Sequence, residues 1–353
     1  MRIAFITAIP LNPLQGSGTF AGISALASGL KKLGANVELV TPGHVPIPNF
    51  TLKRFWFNEW LRARRWDDFD LTVGFDMDGY RIAGRTGRPH IASIKGVIAD
   101  EMRFERGWTR LSMAWQASFE RRHLERADAA VVTSRYAAGR VKDLYKVEKT
   151  AVVIPELIDL CAWRRLFACA PAQSIPSEFS VLTVCRFYPR KRLEVLLEAA
   201  AKLRDIIPNL RVHIVGNGPE RARLRRIWRH LRLEETVIWL GDVSQLELAC
   251  EYNRADVFCL PSVQEGFGIV FLEAMAAGKP IVAVRAAAVP EVVDHGLLVE
   301  PDDSESLAQA ILKLYREPEL RSELAAAGTQ TVLQYDAPKV ARQFLALAES
   351  MSV

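Results

Sequence analysis

The sequence predicts an α/β protein built of two doubly wound, Rossmann-like units. Three observations carry that prediction. Short apolar runs alternate with amphipathic helical segments from Arg2 onward, the signature of βαβ units and a parallel sheet. The alternation breaks over Cys161 to Phe179, an aperiodic stretch with Pro171 and Pro176, and restarts at Ser180. The chain has 353 residues, half of them hydrophobic and a quarter charged, which is material for two ordinary cores.

In the first half, Arg2 to Ala8 reads as a strand and Phe20 to Leu33 as a helix ended by Gly34. Gly16 and Gly18 lie in the loop before that helix and could place backbone amides near a phosphate. Val37 to Val40, Leu71 to Phe75 and His90 to Ile94 read as further strands, and Trp108 to Glu125 as a helix. Residues 50–66 differ in character. Lys53, Arg54, Arg62, Arg64 and Arg65 interleave with Phe50, Phe55, Trp56, Phe57, Trp60 and Trp66. Two readings stay open: an interfacial helix on an anionic membrane, or a helix docked through its aromatics with solvated arginines. Glu59 and Asp67-Asp68 count against the first. Asp76-Met77-Asp78 has the spacing of a metal-binding pair but reads as a polar turn.

In the second half, Ser180 to Cys185 is a strand, followed by Arg186 to Lys191 and the helix Leu193 to Ile207. Leu210 to Val215 is a strand that ends in Gly216-Asn217-Gly218-Pro219. The next helix, Glu220 to Leu231, opens a run of six arginines from Arg221 to Arg232, which reads as a solvated face. Strands follow at Thr236 to Leu240, Asp256 to Leu260 and Pro280 to Val284. Ser304 to Tyr315 and Pro338 to Ser350 are the closing helices. The expected domains are residues 1–165 and 166–336, with 337–353 as a final helix.

The stretch Pro261 to Pro280, PSVQEGFGIVFLEAMAAGKP, carries the chemistry. It reads as strand, turn and helix, with Ile269, Phe271, Leu272, Met275 and Ala276 at helical spacing. Gly266 and Gly268 allow close approach of the backbone to a ligand. The first amides of a helix have no partner within it and can hold an anion. Glu265 and Glu273 bracket that anion site. Carboxylates accept hydrogen bonds from hydroxyls, so the pattern suits a phosphate carrying hydroxyl-rich rings, the form of a nucleotide sugar.

This stretch resembles the E-x7-E motif of the family-4 retaining glycosyltransferases (glycosyl transferases group 1). That family has the GT-B fold of two Rossmann-like domains facing a cleft. Arg186 and Lys191 match its G-R-x-x-x-x-K-G pattern, with Cys185 and Arg192 in place of the flanking glycines. Gly216 to Pro219 resembles its G-x-G-P, Gly241-Asp242-Val243 its F-x-G-x-V, and Asp128 to Ser134 its A-D-x-V-I-x-x-S. Pro155 to Asp159 is similar to its V-I-P-N-G-V-D, with Glu156 and Leu157 in place of Asn and Gly.

The resemblance implies a hexosyl transfer from a nucleotide-diphosphate sugar to an acceptor hydroxyl, with retention. Residues 1–165 would be the acceptor side, 166–336 the donor side, and the last helix would cross back to the first domain. Glu265, Arg186 and Lys191 would be catalytic. Arg186, Lys191 and the amides of Gly266, Phe267, Gly268 and Ile269 would stabilise the leaving diphosphate. Glu265 would hold the donor sugar and Glu273 the ribose. Gly16, Gly216 and Val243 would border the donor. Many members carry a His at the position of Lys95, so Lys95 is an acceptor-side candidate for an anionic group. It is equally well read as a solvated loop residue. No cofactor and no metal are expected.

Net charge is +5, which favours anionic partners, but no nucleic-acid-binding signature occurs. Five cysteines without a C-x-x-C pair point to reduced thiols in a cytoplasmic protein. Arg2 and the apolar residues to Leu11 fit a first strand better than a signal peptide, and no apolar run reaches membrane-spanning length. The expected location is cytoplasmic, with peripheral contact at the inner face of the membrane if 50–66 is interfacial. Two other functions remain in play: a non-catalytic nucleotide-sugar-binding subunit, or another GT-B enzyme such as an epimerase.

Overall fold

The computed structural model describes residues 1–9, 18–171 and 178–351. The chain divides into two compact units, Met1–Leu157 with Ala337–Val353, and Ile158–Asp336.

The first unit runs β1 (Arg2–Ile6), α1 (Gly18–Lys32), β2 (Asn36–Val40), α2 (Phe50–Leu61), β3 (Leu71–Phe75), β4 (His90–Ile94), α3 (Ile98–Glu101), α4 (Gly107–Arg126), β5 (Ala129–Val132), α5 (Arg135–Tyr145) and β6 (Val152–Val153). Its six strands are parallel in the order β2-β1-β3-β4-β5-β6. Strands β3 and β4 are buried along their whole length, Thr72, His90 and Ser93 included, so neither turns a polar face to water.

The second unit runs α6 (Leu160–Cys169), β7 (Phe179–Val184), α7 (Leu193–Leu203), β8 (Leu210–Val215), α8 (Arg221–His230), β9 (Val237–Gly241), α9 (Gln245–Arg254), β10 (Val257–Leu260), α10 (Ile269–Ala276), β11 (Ile281–Val284), α11 (Val289–Val292), β12 (Leu297–Val299), α12 (Ser304–Arg316) and α13 (Pro318–Thr331). Its sheet is also parallel, in the order β12-β11-β10-β7-β8-β9. The first strand of the unit therefore sits mid-sheet, with the chain winding outward on either side of it. That is the doubly wound arrangement, whose switch point lies between β7 and β10.

The last helix, α14 (Ala337–Ser350), packs in the first unit. Val340, Ala341 and Phe344 join Ile23, Leu26 and Leu30 of α1 in one core. Phe344 lies against Phe5 of β1, which in turn lies edge-on to Phe75 of β3, with centroids 6.2 and 5.1 Å apart.

Three expectations are corrected or sharpened here. The stretch read as an aperiodic linker holds α6, started by Asp159, whose carboxylate accepts from the Ala162 amide at 2.9 Å. Trp163 and Phe167 dock that helix on Tyr252, so a boundary at 165/166 would cut through it, and the chain passes between units at Leu157. The Asp76–Asp78 stretch is a polar turn, as read, and it is buried. Asp78 is fully buried and takes both the Nε and Nη2 of Arg54 at 3.1 Å. Nor is the arginine run of α8 all solvated: Arg225 lies over the rings of Trp228 and Trp239, and Arg223 reaches Glu194.

Candidate donor site

In open α/β sheets, ligands bind beyond the carboxyl ends of the strands at the switch point. In the second unit that place lies beyond β7 and β10, which pair through Val181↔Val257 and Leu182↔Phe258. The chain leaving β7 carries Arg186 and Lys191. The chain leaving β10 carries Glu265 to Gly268. The topology alone thus brings together residues some 75 positions apart in sequence.

The two loops are stitched by backbone. Val263 N–H donates to the carbonyl of Arg190 at 2.9 Å, and the hydroxyl of buried Ser262 reaches the same carbonyl at 3.3 Å. Pro189–Lys191 form a 3-10 turn, closed by Arg192 in the left-handed region at φ 51°. The resembled pattern has glycine there, and the backbone shows why. Arg192 keeps the conformation with its guanidinium 2.9 Å from Asp302.

At the centre, the ammonium of Lys191 is bonded to Oε1 of Glu265, and both side chains are about nine-tenths buried. Helix α10 begins one residue after Gly268, whose φ is 91°. A Cβ there would stand 2.6 Å from the Phe271 ring, so the tight entry of the helix requires glycine. The Phe271 amide donates to the Gly268 carbonyl at 3.0 Å, and the start of α10 carries the positive end of the helix dipole. The neighbouring Phe267 is buried with its ring 5.4 Å from Tyr335.

Glu273 lies one turn further along α10 and is buried. It accepts a hydrogen bond from the Tyr252 hydroxyl at 2.9 Å. Burial pushes its carboxyl up to about 7, and the Tyr252 hydrogen bond opposes that rise. Tyr252 is itself fixed: α9 starts with a reciprocal Ser244–Glu247 capping box, and the Tyr252 ring stacks on Phe258 of β10.

Arg186 is partly exposed and lies 3.6 Å from Asp242, in the loop after β9 that also holds Val243. Gly216, at the carboxyl end of β8, has φ 117°, and a Cβ on it would meet the Cys185 carbonyl oxygen at 2.0 Å. Its amide donates to the Gly241 carbonyl at 2.7 Å. Phe187 N–H donates to the Asn217 carbonyl at 2.9 Å, which seats the Gly216 loop on the Arg186 strand end.

So the structure gathers Arg186, Lys191, Gly216, Val243, Glu265, Gly266, Phe267, Gly268, Ile269 and Glu273 at the carboxyl ends of four adjacent strands. Gly16 lies outside the described residues. Lys95 stands at the end of β4 in the first unit and is not a solvated loop residue. Its ammonium is 3.0 Å from Glu156, with both side chains more than nine-tenths buried. The two positions that depart from the resembled pattern, Lys95 for His and Glu156 for Asn, are each other's partners. Tyr252 was not singled out from sequence; Glu156 and Asp242 entered only inside matched motifs and were given no role, Glu156 as an acid replacing an amide.

Two family models divide the chain: "Glycosyltransferase Family 4" matches residues 17–161 and "Glycosyl transferases group 1" matches 171–331. A phosphatidyl-myo-inositol mannosyltransferase of Mycobacterium leprae is 36% identical over 171 residues, 46% of this chain and 44% of that protein. The chain therefore spans less than half the length of that relative. A GDP-mannose-dependent alpha-(1-6)-phosphatidylinositol monomannoside mannosyltransferase of Mycobacterium tuberculosis is 28% identical over 265 residues, covering 69% of this chain and 67% of that protein. Among solved structures, a sucrose-phosphate synthase from Thermosynechococcus elongatus superposes with a TM-score of 0.81 at 23% identity, covering 99% of this chain and 98% of that one.

Proposed function

The chain belongs to the group 1, family 4 glycosyltransferases of GT-B fold, and on that premise we propose that it moves a sugar from a nucleotide-diphosphate sugar to an acceptor hydroxyl with retention and without a metal. The observation that supports this most is the convergence of Lys191, Glu265 and the start of α10 at the switch point of the second unit.

The mechanism follows from the charges. As the bond from the anomeric carbon to the β-phosphate oxygen breaks, its electron pair passes to the phosphate. Arg186, Lys191 and the first amides of α10 stabilise that charge. An ammonium has three N–H donors, so Lys191 can hold a phosphate oxygen while still donating to Glu265. Glu265 then accepts from the sugar hydroxyls and orients the ring. Glu273 accepts from the ribose hydroxyls, held by Tyr252. The acceptor proton goes to the departing phosphate oxygen, on the face that the leaving group occupied.

The names of the relatives direct the choice of substrates. GDP-mannose is the first donor to try, and an inositol-bearing or other polyol acceptor, lipid-linked or free, the first acceptor. Nucleic acid is not a proposed partner, and no cofactor is proposed. No helix among the described residues is long and apolar enough to cross a membrane. The proposed location is the cytoplasm, with residues 50–66 touching the inner face of an anionic membrane.

The test is incubation of the purified chain with a panel of GDP- and UDP-sugars, following nucleoside diphosphate release and reading the product anomer by NMR. The proposal expects release from at least one donor and an unchanged anomeric configuration. Tight nucleoside diphosphate binding with no release from any donor would indicate a binding subunit, and an inverted product would refute retention.

A further inference from the structure

Helices α2 and α4 of the first unit both bury polar side chains and leave large apolar ones exposed. A surface helix of a globular protein turns its apolar stripe to the core and its polar face to water. Helix α2 instead buries Arg54 and Asn58 along with Phe57 and Leu61. Arg54 and Asn58 both bond to buried Asp78. Its outward stripe, one helical turn apart, is Leu52, Trp56 and Trp60, which are 56, 39 and 38% exposed.

Helix α4 repeats the pattern. Its inner face holds Gln116, Glu120 and His123 beside Ala117 and Leu124. Its outer face carries Trp108, Leu111 and Trp115, which are 78, 64 and 63% exposed. Among the described residues, every exposed phenylalanine and tryptophan lies on these two helices.

The two outer faces adjoin. Phe55 of α2 lies 5.3 Å from Trp115 and 4.9 Å from Phe119 of α4, ring to ring. Thr51 and Ser112 are hydrogen-bonded at 3.0 Å, and Arg54 donates to Gln116 at 3.2 Å. Exposed arginines flank the two stripes in sequence, Arg62 and Arg65 past α2 and Arg103, Arg106 and Arg110 around the start of α4; Arg62 is paired with Glu59 and Arg103 with Asp100, and exposed Asp67 and Asp68 follow Arg65. The carboxylate on the outer side of α2, Glu59, is already paired with Arg62 and Arg81.

We propose that α2 and α4 together form a docking surface for an anionic lipid bilayer, with Trp108, Leu111 and Trp115 of α4 as its deepest contact. Exposed tryptophan and leucine flanked by arginine is the chemistry of a membrane interface. The indoles sit at headgroup level and the guanidinium groups meet lipid phosphates. Contiguous apolar exposure of this kind marks an interaction surface. The proposal rests on the membrane contact proposed for 50–66 and adds the second helix, which the sequence did not indicate.

The experiment is sedimentation of the full chain with vesicles of phosphatidylcholine alone and of phosphatidylcholine mixed with phosphatidylglycerol. The wild-type chain should sediment with the anionic vesicles, and less so as salt rises. Trp108→Ser/Leu111→Ser/Trp115→Ser should weaken this about a hundredfold, from the apolar area withdrawn. Arg106→Gln/Arg110→Gln should weaken it roughly thirtyfold and reduce the salt dependence. Ile206→Ser/Leu246→Ser, which removes exposed apolar residues elsewhere, should sediment as wild type does.

Donor hydrolysis in solution should be unchanged in the triple variant, which separates this proposal from the transferase reading. Wild-type-like sedimentation of the triple variant would overturn the two-helix surface. If Trp56→Ser/Trp60→Ser alone releases the chain, contact through 50–66 stands and the role of α4 falls. Equal sedimentation with neutral vesicles, or none with either, would overturn the proposal as a whole.

Discussion

The ion pair between Lys191 and Glu265 makes a quantitative prediction. With the two side chains only 11 and 9% exposed, neither charge is well hydrated when its partner is gone. Removing one member of a buried pair costs about 3–5 kcal/mol, because it leaves the other charge uncompensated. The residual exposure puts the cost near the lower end, at about 3 kcal/mol for Lys191→Met or Glu265→Gln. For a unit of this size that corresponds to a fall in Tm of roughly 6–12 °C. The double variant leaves no orphan charge. It should be no less stable than either single variant, a coupling of about 3 kcal/mol between groups in contact. Scanning calorimetry of the four proteins, without nucleotide, reads this cycle directly. Additive losses, with the double variant roughly twice as destabilised as either single, would show that the two charges do not depend on each other and would refute the reasoning.

Other outcomes follow from the same site. Burial lifts Glu273 to about 7, so folding favours its neutral form; the stability this contributes is complete below pH 4.5 and is lost as pH rises through about 7. The advantage of wild type over Glu273→Gln should therefore shrink by about 3 kcal/mol across that range, and denaturant titrations in which it stays constant with pH would contradict the assignment. Gly216→Ala puts a Cβ against the Cys185 carbonyl in a left-handed backbone, and should cost at least about 2 kcal/mol; an unchanged melting temperature would exclude that strain. Transfer should persist in a chelator, since Arg186, Lys191 and the α10 amides are proposed to do the work of a cation; activity lost on chelation and restored by magnesium or manganese would overturn this.

What the sequence revealed, and what it hid, divides along local and tertiary lines. The two parallel sheets were legible because each buried strand is a short apolar run and each crossover helix keeps its period. The Pro261 to Pro280 stretch was legible because turn, glycines and helix are contiguous. Helix α6 was missed because the prolines after it suggested a linker, while its start signal, Asp159, lay in a segment read for other reasons. The partners of the site residues were hidden for a physical reason: Tyr252 reaches Glu273 across 21 positions, and Arg186 meets Asp242 only through the β8 and β9 crossovers. The face that α2 buries was hidden in the same way. Periodicity finds a stripe but not its direction, and Asp78 decides the direction by drawing Arg54 inward. Lys95 shows the limit of single positions, since its role as the partner of Glu156 became visible only when the strands were in place.

The most direct measurement of the central claim is calorimetric titration of GDP and UDP into wild type, Glu265→Gln and Glu273→Gln, alongside donor turnover, at a temperature where all three are folded. The placement of Glu273 against Tyr252, inside α10, assigns it to the nucleoside. Titrated above pH 7, where Glu273 carries its charge, its variant should bind the diphosphate about 1.5–3 kcal/mol more weakly, as expected for a lost hydrogen bond to a charged group. Glu265→Gln frees Lys191 for the phosphate, so it should bind the diphosphate at least as tightly as wild type while losing most turnover. Unchanged nucleotide affinity in Glu273→Gln, or full turnover in Glu265→Gln, would contradict the account.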